Sequence, residues 1–328
     1  MLVFEDLLLF FEGSEKKAEV VVNSQNLSLL NDISNTFWQE LVKCCNAQIL
    51  SSIENEHCKA FLLSESSLFV WHERFVILTC GVTQLVKSVE YFIQNINAED
   101  IAHVTYQRKN EYFSNAQLSS FGDDIHLLSQ YLTGKAYRFG EMYSHHNYVF
   151  HQDNDFKAQA DDITYELLAY QISEAASKLL TTHGLSAEKI RAFFCIDDLL
   201  PDFIIDDFVF DPFGYSLNAI KGQDYFTIHV TPQAGSSYVS FESSLDLITM
   251  AAKIIAILKP ASFDLLGFND TEFADKVNVA IDKPYISNSL VSKTLDNGYY
   301  VCFANFITPE TYYSSPFELD LTGESHAL

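Results

Sequence analysis

The chain has 328 residues, with 20 lysines and arginines against 44 aspartates and glutamates, so its formal net charge at pH 7 is −24. Because phosphate binding needs clustered basic side chains, this charge argues against nucleic acid or an anionic membrane as the main partner and favours cationic small molecules. Hydrophobic residues make up 48% of the chain and charged residues 20%. The chain can therefore bury enough apolar surface to fold, which excludes intrinsic disorder.

Strand-like and helical patterns follow one another in an irregular order. Runs of β-branched and aromatic residues predict strands over 18–22, 61–70, 75–79, 225–230, 238–241 and 299–306. Apolar residues at helical spacing predict helices over 27–45, 163–181 and 245–258, the last ended by Lys259-Pro260. The segment 221–224 predicts a hairpin turn. Clustered strands favour antiparallel sheets with helices on their outer faces, an α+β sandwich. The similar halves, about 1–160 and 161–328, permit a duplicated architecture.

Targeting and metal-binding signals are weak throughout the sequence. The N-terminal apolar run has no basic flank and no small-residue cleavage pattern, so we expect no signal peptide. No segment keeps the roughly 18 apolar residues that a membrane span needs. Six scattered cysteines, without a CxxC pair, are typical of reduced thiols in the cytoplasm. The histidines, including His145-His146, have no cysteine or carboxylate at ligand spacing, so we expect no metal site.

The segment around Glu65-Ser66-Ser67 carries the most specific pattern. Taken alone, this triplet between apolar runs indicates a turn. Its surroundings, LSESSLFV at 63–70, Arg74-Phe75 and then Thr79-Cys80-Gly81, resemble the self-cleaving site of eukaryotic-type S-adenosylmethionine decarboxylases. Further segments are similar to that family in the same order: FFEGSEK at 10–16, PFGYSLN at 212–218, TIHVTP at 227–232 and SYVSFE at 237–242.

This resemblance implies a single domain over 1–328 with a four-layer αββα sandwich and duplicated halves. It also implies a proenzyme that cuts itself between Glu65 and Ser66, giving a β chain of residues 1–65 and an α chain of residues 66–328. Ser66 would become a pyruvoyl group, the enzyme's own cofactor, with no metal and no pyridoxal phosphate. By the same resemblance, Ser216 assists the cyclic intermediate of this cleavage, and His229 takes a proton.

The resemblance further implies decarboxylation of S-adenosylmethionine through a Schiff base to the pyruvoyl group. Cys80 matches the family's proton donor, and we expect its thiol to have a pKa near the ordinary value of about 8.5. Matched substrate-site residues are Phe11 and Phe210, which stack adenine, Glu65, and the acids Glu12 and Glu15, of which Glu15 serves both processing and catalysis. The alternatives are an inert buried cysteine, phenylalanines packed in a core and solvated acids.

One matched position departs from the family. Thr231-Pro232-Gln233 replaces TPE, and the acid of that motif holds the ribose hydroxyls. A neutral amide accepts a weaker hydrogen bond than a carboxylate. This departure motivates one alternative, a pyruvoyl decarboxylase that acts on another amino acid. A second alternative is a non-catalytic homologue that activates a partner subunit.

A set of acids resembles the site at which animal-type members bind the effector putrescine. Its matched residues are Glu19, Asp162, Thr164, Glu166, Glu242 and Phe268. Several carboxylates buried together imply a cation that neutralises them. Lys17 replaces an apolar family position, and our hypothesis is that it supplies part of this charge, as arginine does in plant-type members. The alternative is an exposed Lys17 on a strand edge.

The implied product is the aminopropyl donor for spermidine or spermine synthesis. The implied assembly is a homodimer of αβ units, as in animal-type members, or a monomer, as in plant-type members.

Overall fold

A computed structural model of the chain describes residues 13, 15–112, 114–233 and 237–309. Two antiparallel sheets of eight strands each form its centre. The first sheet has the strand order β2-β3-β4-β5-β1-β6-β8-β7. Its strands are β1 Lys16–Val22, β2 Ile49–Glu54, β3 Lys59–Leu63, β4 Ser66–Val70, β5 Arg74–Thr79, β6 Ile101–Lys109, β7 Gly134–Gly140 and β8 His146–Gln152.

The second sheet repeats this arrangement. Its order is β10-β11-β12-β13-β9-β14-β16-β15, which is the order of the first sheet with eight added to each strand number. Its strands are β9 Thr164–Tyr170, β10 Ile204–Val209, β11 Tyr215–Lys221, β12 Asp224–Thr231, β13 Tyr238–Ser243, β14 Ser262–Phe268, β15 Ile286–Thr294 and β16 Tyr300–Ile307. The repeated strand order confirms the predicted duplication.

Nine described α-helices cover the outer faces of the sheets. They are α1 Leu29–Asp32, α2 Asn35–Cys44, α3 Leu85–Asn95, α4 Phe121–Leu128, α5 Glu174–Leu180, α6 Ala187–Phe194, α7 Ile196–Leu199, α8 Leu247–Leu258 and α9 Phe273–Ala280. Side-chain caps begin several of them. Ser120 and Asp123 form a capping box at α4, and the Asp246 carboxylate accepts two backbone N–H groups at the start of α8.

Successive side chains of each strand point to opposite faces of its sheet, so one face packs on helices and the other on the second sheet. On β1, Ala18 and Val20 face α2 and α3, where they join a core with Trp38 and Phe92. The second sheet packs on α8 through a separate core that includes Phe241 and Leu247. The remaining faces of the two sheets meet each other, for example where Phe69 and Trp71 contact Tyr225. The result is the expected four-layer αββα sandwich.

Most predicted elements are confirmed. The structure has strands at β1, β5, β12, β13 and β16, and the predicted turn at 221–224 joins β11 to β12 through Gly222 and Gln223. Gly222 has a φ of +59°, a left-handed conformation that suits a two-residue hairpin loop. Helix α8 ends as predicted, with Lys259 as a left-handed cap before Pro260.

Three predicted elements are wrong in whole or in part. The helix predicted over 163–181 is strand β9 followed by the short helix α5, because β9 is buried on both faces and lacks the alternating pattern of a half-exposed strand. The helix over 27–45 is divided into α1 and α2 by the cap residue Ser34. The strand over 61–70 is a hairpin, with Ser64 and Glu65 as the loop between β3 and β4. Nine further strands of the structure were not predicted from the sequence.

Candidate active site

The layer between the sheets carries polar side chains at one end of the sandwich. Strand β4 of the first sheet presents Ser67, and Cys80 follows the end of β5. Across the layer, β11 presents Ser216 and β12 presents His229, which are register partners. All four residues are buried. The two-residue periodicity of each strand therefore places Ser67 opposite the predicted processing residues Ser216 and His229.

The Glu65-Ser66 peptide bond joins the last loop residue of the β3–β4 hairpin to the first residue of β4. Ser66 has a φ of +134°, which is a strained conformation for a residue with a Cβ. Its hydroxyl is buried and has no hydrogen-bond partner among the described residues. The Glu65 carbonyl oxygen accepts the backbone N–H of Cys80 at 3.1 Å, and the Cys80 thiol donates to it at 3.5 Å. An unsatisfied nucleophile thus adjoins a carbonyl that two donors polarise.

The expected pKa of Cys80 is wrong for the intact chain. Burial raises the pKa of this thiol well above its ordinary value, and the carboxyl groups of Glu65 and Glu15 raise it further. Burial also raises the pKa of Glu65 to about 7. Cys80 is therefore a protonated thiol at neutral pH, which is the state that a proton donor requires.

His229 is held at both ring nitrogens. Its Nδ1 lies 2.9 Å from the Ser216 hydroxyl, while Nε2 lies 2.9 Å from Thr227 Oγ1 and 3.2 Å from Ser67 Oγ. Burial lowers the pKa of His229 to about 3, so the ring is neutral and can accept a proton. The structure thus brings Ser216 and His229 into direct contact. His229 also contacts Ser67, the residue that follows the Glu65-Ser66 bond.

Glu15 lies in the same layer between the cleavage site and the acid cluster. Its carboxylate accepts the hydroxyl of Ser240, the register partner of His229. Burial raises the pKa of Glu15 to about 8, with further contributions from the carboxylates of Glu166 and Glu242, although the Ser240 hydrogen bond opposes the change. Glu15 is therefore mostly protonated at neutral pH. It connects the two groups of predicted residues electrostatically.

The predicted effector residues form a cluster around Lys17. The Lys17 ammonium lies 3.1 Å from Glu166 Oε1 and 2.9 Å from Glu242 Oε1. It also lies 5.4 Å from the centre of the Phe268 ring. Burial opposes the charge of Lys17, but the two glutamates outweigh it and raise the pKa of the ammonium. Lys17 is 4% exposed on the central strand β1, so the alternative of an exposed strand-edge lysine is wrong.

A second cation completes this cluster. Arg74 pairs with Glu19 at 3.1 Å and with Asp162, and Asp162 also accepts the hydroxyl of Tyr299. Burial, followed by repulsion from Asp162, raises the pKa of Glu19 to about 7. Thr164 is buried at the start of β9, opposite Phe268 on β14. Among the described residues, the carboxylates of this cluster are thus paired with two cations of the chain itself, Lys17 and Arg74.

The predicted substrate residues are only partly within the described chain. Phe210 is half-buried and lines a cavity of about 170 Å³ together with Phe213 and Pro232. The Gln233 backbone N–H donates to Ser237 at 2.8 Å. Phe11 and Glu12 lie outside the described residues. At Gly13, the next residue in the chain, a Cβ atom would lie 2.5 Å from Cδ1 of Tyr238, so this position requires glycine.

Sequence reasoning missed several residues of the site. The motif that contains Arg74 does not predict its place in the acid cluster, and no sequence motif predicts a role for Ser67, Thr227 or Asn218. The alternation of side chains along a strand is the signal that could have predicted them. Arg74 is six residues from Cys80 and Thr227 is two residues from His229, and such even spacings place side chains on the same face of a strand.

Two searches of the described residues gave negative results. No helix in this part of the chain is long and apolar enough to cross a membrane. No group of three or more histidine, cysteine, aspartate or glutamate side chains within the same residues is placed to hold a metal ion.

Residues 9–307 match the family model described as adenosylmethionine decarboxylase. The S-adenosylmethionine decarboxylase proenzyme of Dictyostelium discoideum is 31% identical over 324 residues, covering 90% of this chain and 85% of the relative. The proenzyme of Xenopus laevis is 32% identical over 273 residues, covering 77% and 82%. That of Drosophila melanogaster is 31% identical over 300 residues, covering 83% and 85%.

A solved structure shares the fold. The Trypanosoma brucei AdoMetDC-delta26 monomer superposes with a TM-score of 0.57 at 20% identity, covering 74% of this chain and 99% of that one. Together with the sequence relatives, the duplicated sandwich defines a carboxy-lyase of the proenzyme type. The chain belongs to the adenosylmethionine decarboxylase family.

Proposed function

We propose that this chain cuts itself between Glu65 and Ser66 and then decarboxylates S-adenosylmethionine with a pyruvoyl group derived from Ser66. The observation that carries the proposal is the contact between the Glu65 carbonyl oxygen and the two Cys80 donors, beside the unpartnered Ser66 hydroxyl. These residues fit the formation of the group, since they supply a nucleophile, a strained peptide and donors for an oxyanion.

In the cleavage, the Ser66 oxygen forms an ester bond to the Glu65 carbonyl carbon as the carbon–nitrogen bond breaks. The Cys80 N–H and thiol stabilise the oxyanion that develops on the Glu65 oxygen. Elimination then transfers the Ser66 Cα proton to His229, breaks the bond between Ser66 Cβ and the ester oxygen and releases the Glu65 carboxylate. The dehydroalanine left at residue 66 becomes an imine, which water hydrolyses to the pyruvoyl group and ammonia. The neutral ring of His229 supports this role, because a base must be unprotonated before it acts.

A pyruvoyl group supplies a carbonyl that accepts electrons from the substrate as CO2 leaves. Cys80 holds the proton that the substrate Cα then requires, and burial keeps this proton in place at neutral pH. Phe210 offers an aromatic face at the cavity rim for the adenine ring. Gln233 replaces an acid of the family motif, and a weaker contact to the ribose hydroxyls is its expected effect.

Lys17 and Arg74 supply the charge that a bound diamine would otherwise bring to the acid cluster. Their contacts with Glu166, Glu242 and Glu19 support this assignment, since an ammonium already occupies the position between the two glutamates. Putrescine is therefore expected to stimulate the enzyme weakly or not at all. The product would serve as aminopropyl donor for spermidine or spermine. We place the enzyme in the cytoplasm, as its six unpaired cysteines suggest.

The test of substrate is CO2 release from carboxyl-labelled S-adenosylmethionine, with ornithine and arginine in parallel assays. The proposal expects release from S-adenosylmethionine alone, and the Ser66→Ala variant should release none. Release from ornithine or arginine would instead support a drifted substrate. A cleaved protein that releases no CO2 from any of the three would support a non-catalytic activating homologue.

A further inference from the structure

Three buried polar side chains form a hydrogen-bonded group beside His229 without a role in the proposed reaction: Ser67 and Thr227 contact Nε2, and Asn218 contacts both of them. The Ser67 hydroxyl lies 2.6 Å from Asn218 Oδ1, and the Thr227 hydroxyl lies 3.1 Å from the same atom. Both hydroxyl oxygens also contact Nε2, Thr227 at 2.9 Å and Ser67 at 3.2 Å. Ser67, Asn218 and Thr227 are each fully buried, so water does not substitute for these contacts.

The available protons determine which nitrogen of His229 is protonated. Each hydroxyl has a single proton, and Asn218 Oδ1 can accept the protons of both. After this donation, the oxygens of Ser67 and Thr227 can act towards the ring only as acceptors. Nε2 must then be the donor. A neutral imidazole has one N–H, so Nδ1 is left with a lone pair facing the Ser216 hydroxyl at 2.9 Å.

The short contact between Ser67 and Asn218 favours Oδ1 as the acceptor atom of the amide, although this orientation leaves Asn218 Nδ2 without a hydrogen-bond partner among the described residues. A separation of 2.6 Å is typical of an O–H···O hydrogen bond, whereas N–H···O bonds cluster near 2.9 to 3.0 Å. With the amide reversed, its NH2 group would donate to both hydroxyls, their protons would turn to Nε2, and Nδ1 would carry the proton. The two amide orientations therefore predict opposite tautomers of His229.

We propose that Asn218 is a positioning residue that holds His229 in the Nε2–H tautomer and thereby makes Nδ1 the base of self-cleavage. This inference rests on the proposed function. In the elimination step, the Ser66 Cα proton passes to Nδ1, its electron pair forms the new carbon–carbon double bond, and the Glu65 carboxylate leaves. In the resting state the Nδ1 lone pair accepts the Ser216 hydroxyl, so this hydrogen bond must break before Nδ1 takes the Cα proton.

The tautomer can be read directly by NMR in the Ser66→Ala protein, which cannot be cut. With ¹⁵N-labelled histidine, the signals of the His229 ring are identified by their loss in a His229→Gln variant. We expect a protonated Nε2 and an unprotonated Nδ1. Asn218→Leu should mix the two forms, and Ser88→Ala, which removes a buried hydroxyl donating to Leu41 outside the site, should not. A protonated Nδ1, or an unchanged ring in Asn218→Leu, overturns the proposal.

Cleavage kinetics with an intact Ser66 give the second readout. Loss of a correctly oriented base should slow elimination in Asn218→Leu by at least about tenfold, with the ester accumulating and revealed by hydroxylamine. Asn218→Asp keeps the acceptor oxygen and should recover most of the rate. If Asn218→Leu does not fold, Thr227→Val removes one contact to Nε2 and takes its place. Cleavage of Asn218→Leu, or of Thr227→Val in its place, at the unchanged rate contradicts the proposal. Absence of cleavage in the wild-type chain contradicts the proposed function instead and leaves the NMR result decisive for the tautomer.

Discussion

The carbonyl oxygen of Glu65 lies 3.1 Å from the backbone nitrogen of Cys80 and accepts its N–H. This contact joins the loop of the β3–β4 hairpin to the end of β5, in the same sheet. In the proposed reaction, Cys80 therefore makes two separable contributions. Its backbone N–H assists the cleavage of the chain, and its thiol serves mainly the later protonation of the substrate.

Replacing Cys80 with alanine separates these contributions. Cys80→Ala keeps the N–H, so we expect the chain to be cut, at a somewhat lower rate because the second donor is gone. Decarboxylation should fall by about 10²-fold or more because the proton donor is lost. Both steps are followed on one preparation, by denaturing electrophoresis and by CO2 release. Cys44→Ala, a cysteine outside the site, is the control. Full CO2 release by Cys80→Ala would refute its role as donor.

Removing the ring of His229 should stop processing after the ester forms. The Ser66 nucleophile and the Cys80 donors remain in His229→Ala, while the base for the Cα proton is absent. We expect a single chain on electrophoresis that becomes two chains after hydroxylamine treatment. Two chains without hydroxylamine would show that another group is the base.

The charge of Lys17 should be essential to the acid cluster. Lys17→Met keeps the volume but leaves Glu166 and Glu242 without their cation, which should lower the free energy of unfolding by about 3 to 5 kcal/mol. Urea unfolding of the uncleaved Ser66→Ala protein measures this change. The exposed pair of Lys43 and Glu40 supplies the control, since Lys43→Met should cost about 0.5 kcal/mol or less.

Putrescine should then stabilise the Lys17→Met protein and not the wild type. A diamine can occupy the position that the lysine ammonium leaves and restore the balance of charge. The measurement is the urea midpoint with and without millimolar putrescine. A several-fold stimulation of wild-type activity by putrescine would contradict the assignment of Lys17.

Glu15 should make stability fall as pH rises. The pKa of this carboxyl is raised from 4.5 in the unfolded chain to about 8 in the folded protein, so between these values the folded state binds more protons than the unfolded state. Stability contributed by the protonated group is therefore lost from about pH 4.5 to about pH 8, with a slope of at most about 1.4 kcal/mol per pH unit.

The Glu15→Gln variant tests this linkage. It should remove that slope, so the variant gains on the parent protein as pH rises from 5 to 8. Urea unfolding of both proteins in the Ser66→Ala background measures the difference. The control is Glu54→Gln on an exposed side chain, which should leave the slope unchanged. A constant difference between Glu15→Gln and its parent across this range would show that Glu15 ionises normally.

The sequence predicted the layer order better than the individual elements. Alternating and clustered strands indicated antiparallel sheets, and the structure has them twice in the same order. The sequence of strand β9 wrongly predicts a helix because Leu167 and Leu168 are both buried, one towards the helices and one towards the other sheet. A strand buried on both faces has no alternation that a sequence pattern can detect.

The sequence likewise predicted single residues of the site better than their contacts. Motifs identified Ser66, Cys80 and His229 one by one, whereas their partners come from different strands. Asn218 and Ser67 are 151 residues apart along the chain, and their contact depends on how the two sheets face each other. The pKa of Cys80 could not be predicted from its neighbours in sequence, because burial is its largest cause and depends on the whole sandwich.

Intact-mass spectrometry of the purified wild-type chain beside Ser66→Ala tests self-cleavage most directly. We expect two wild-type chains, residues 1–65 and 66–328, the larger beginning with a pyruvoyl group and blocked to N-terminal sequencing. Ser66→Ala should give one chain of the full mass. A wild-type protein that remains a single chain of full mass while it decarboxylates S-adenosylmethionine would refute self-cleavage between Glu65 and Ser66.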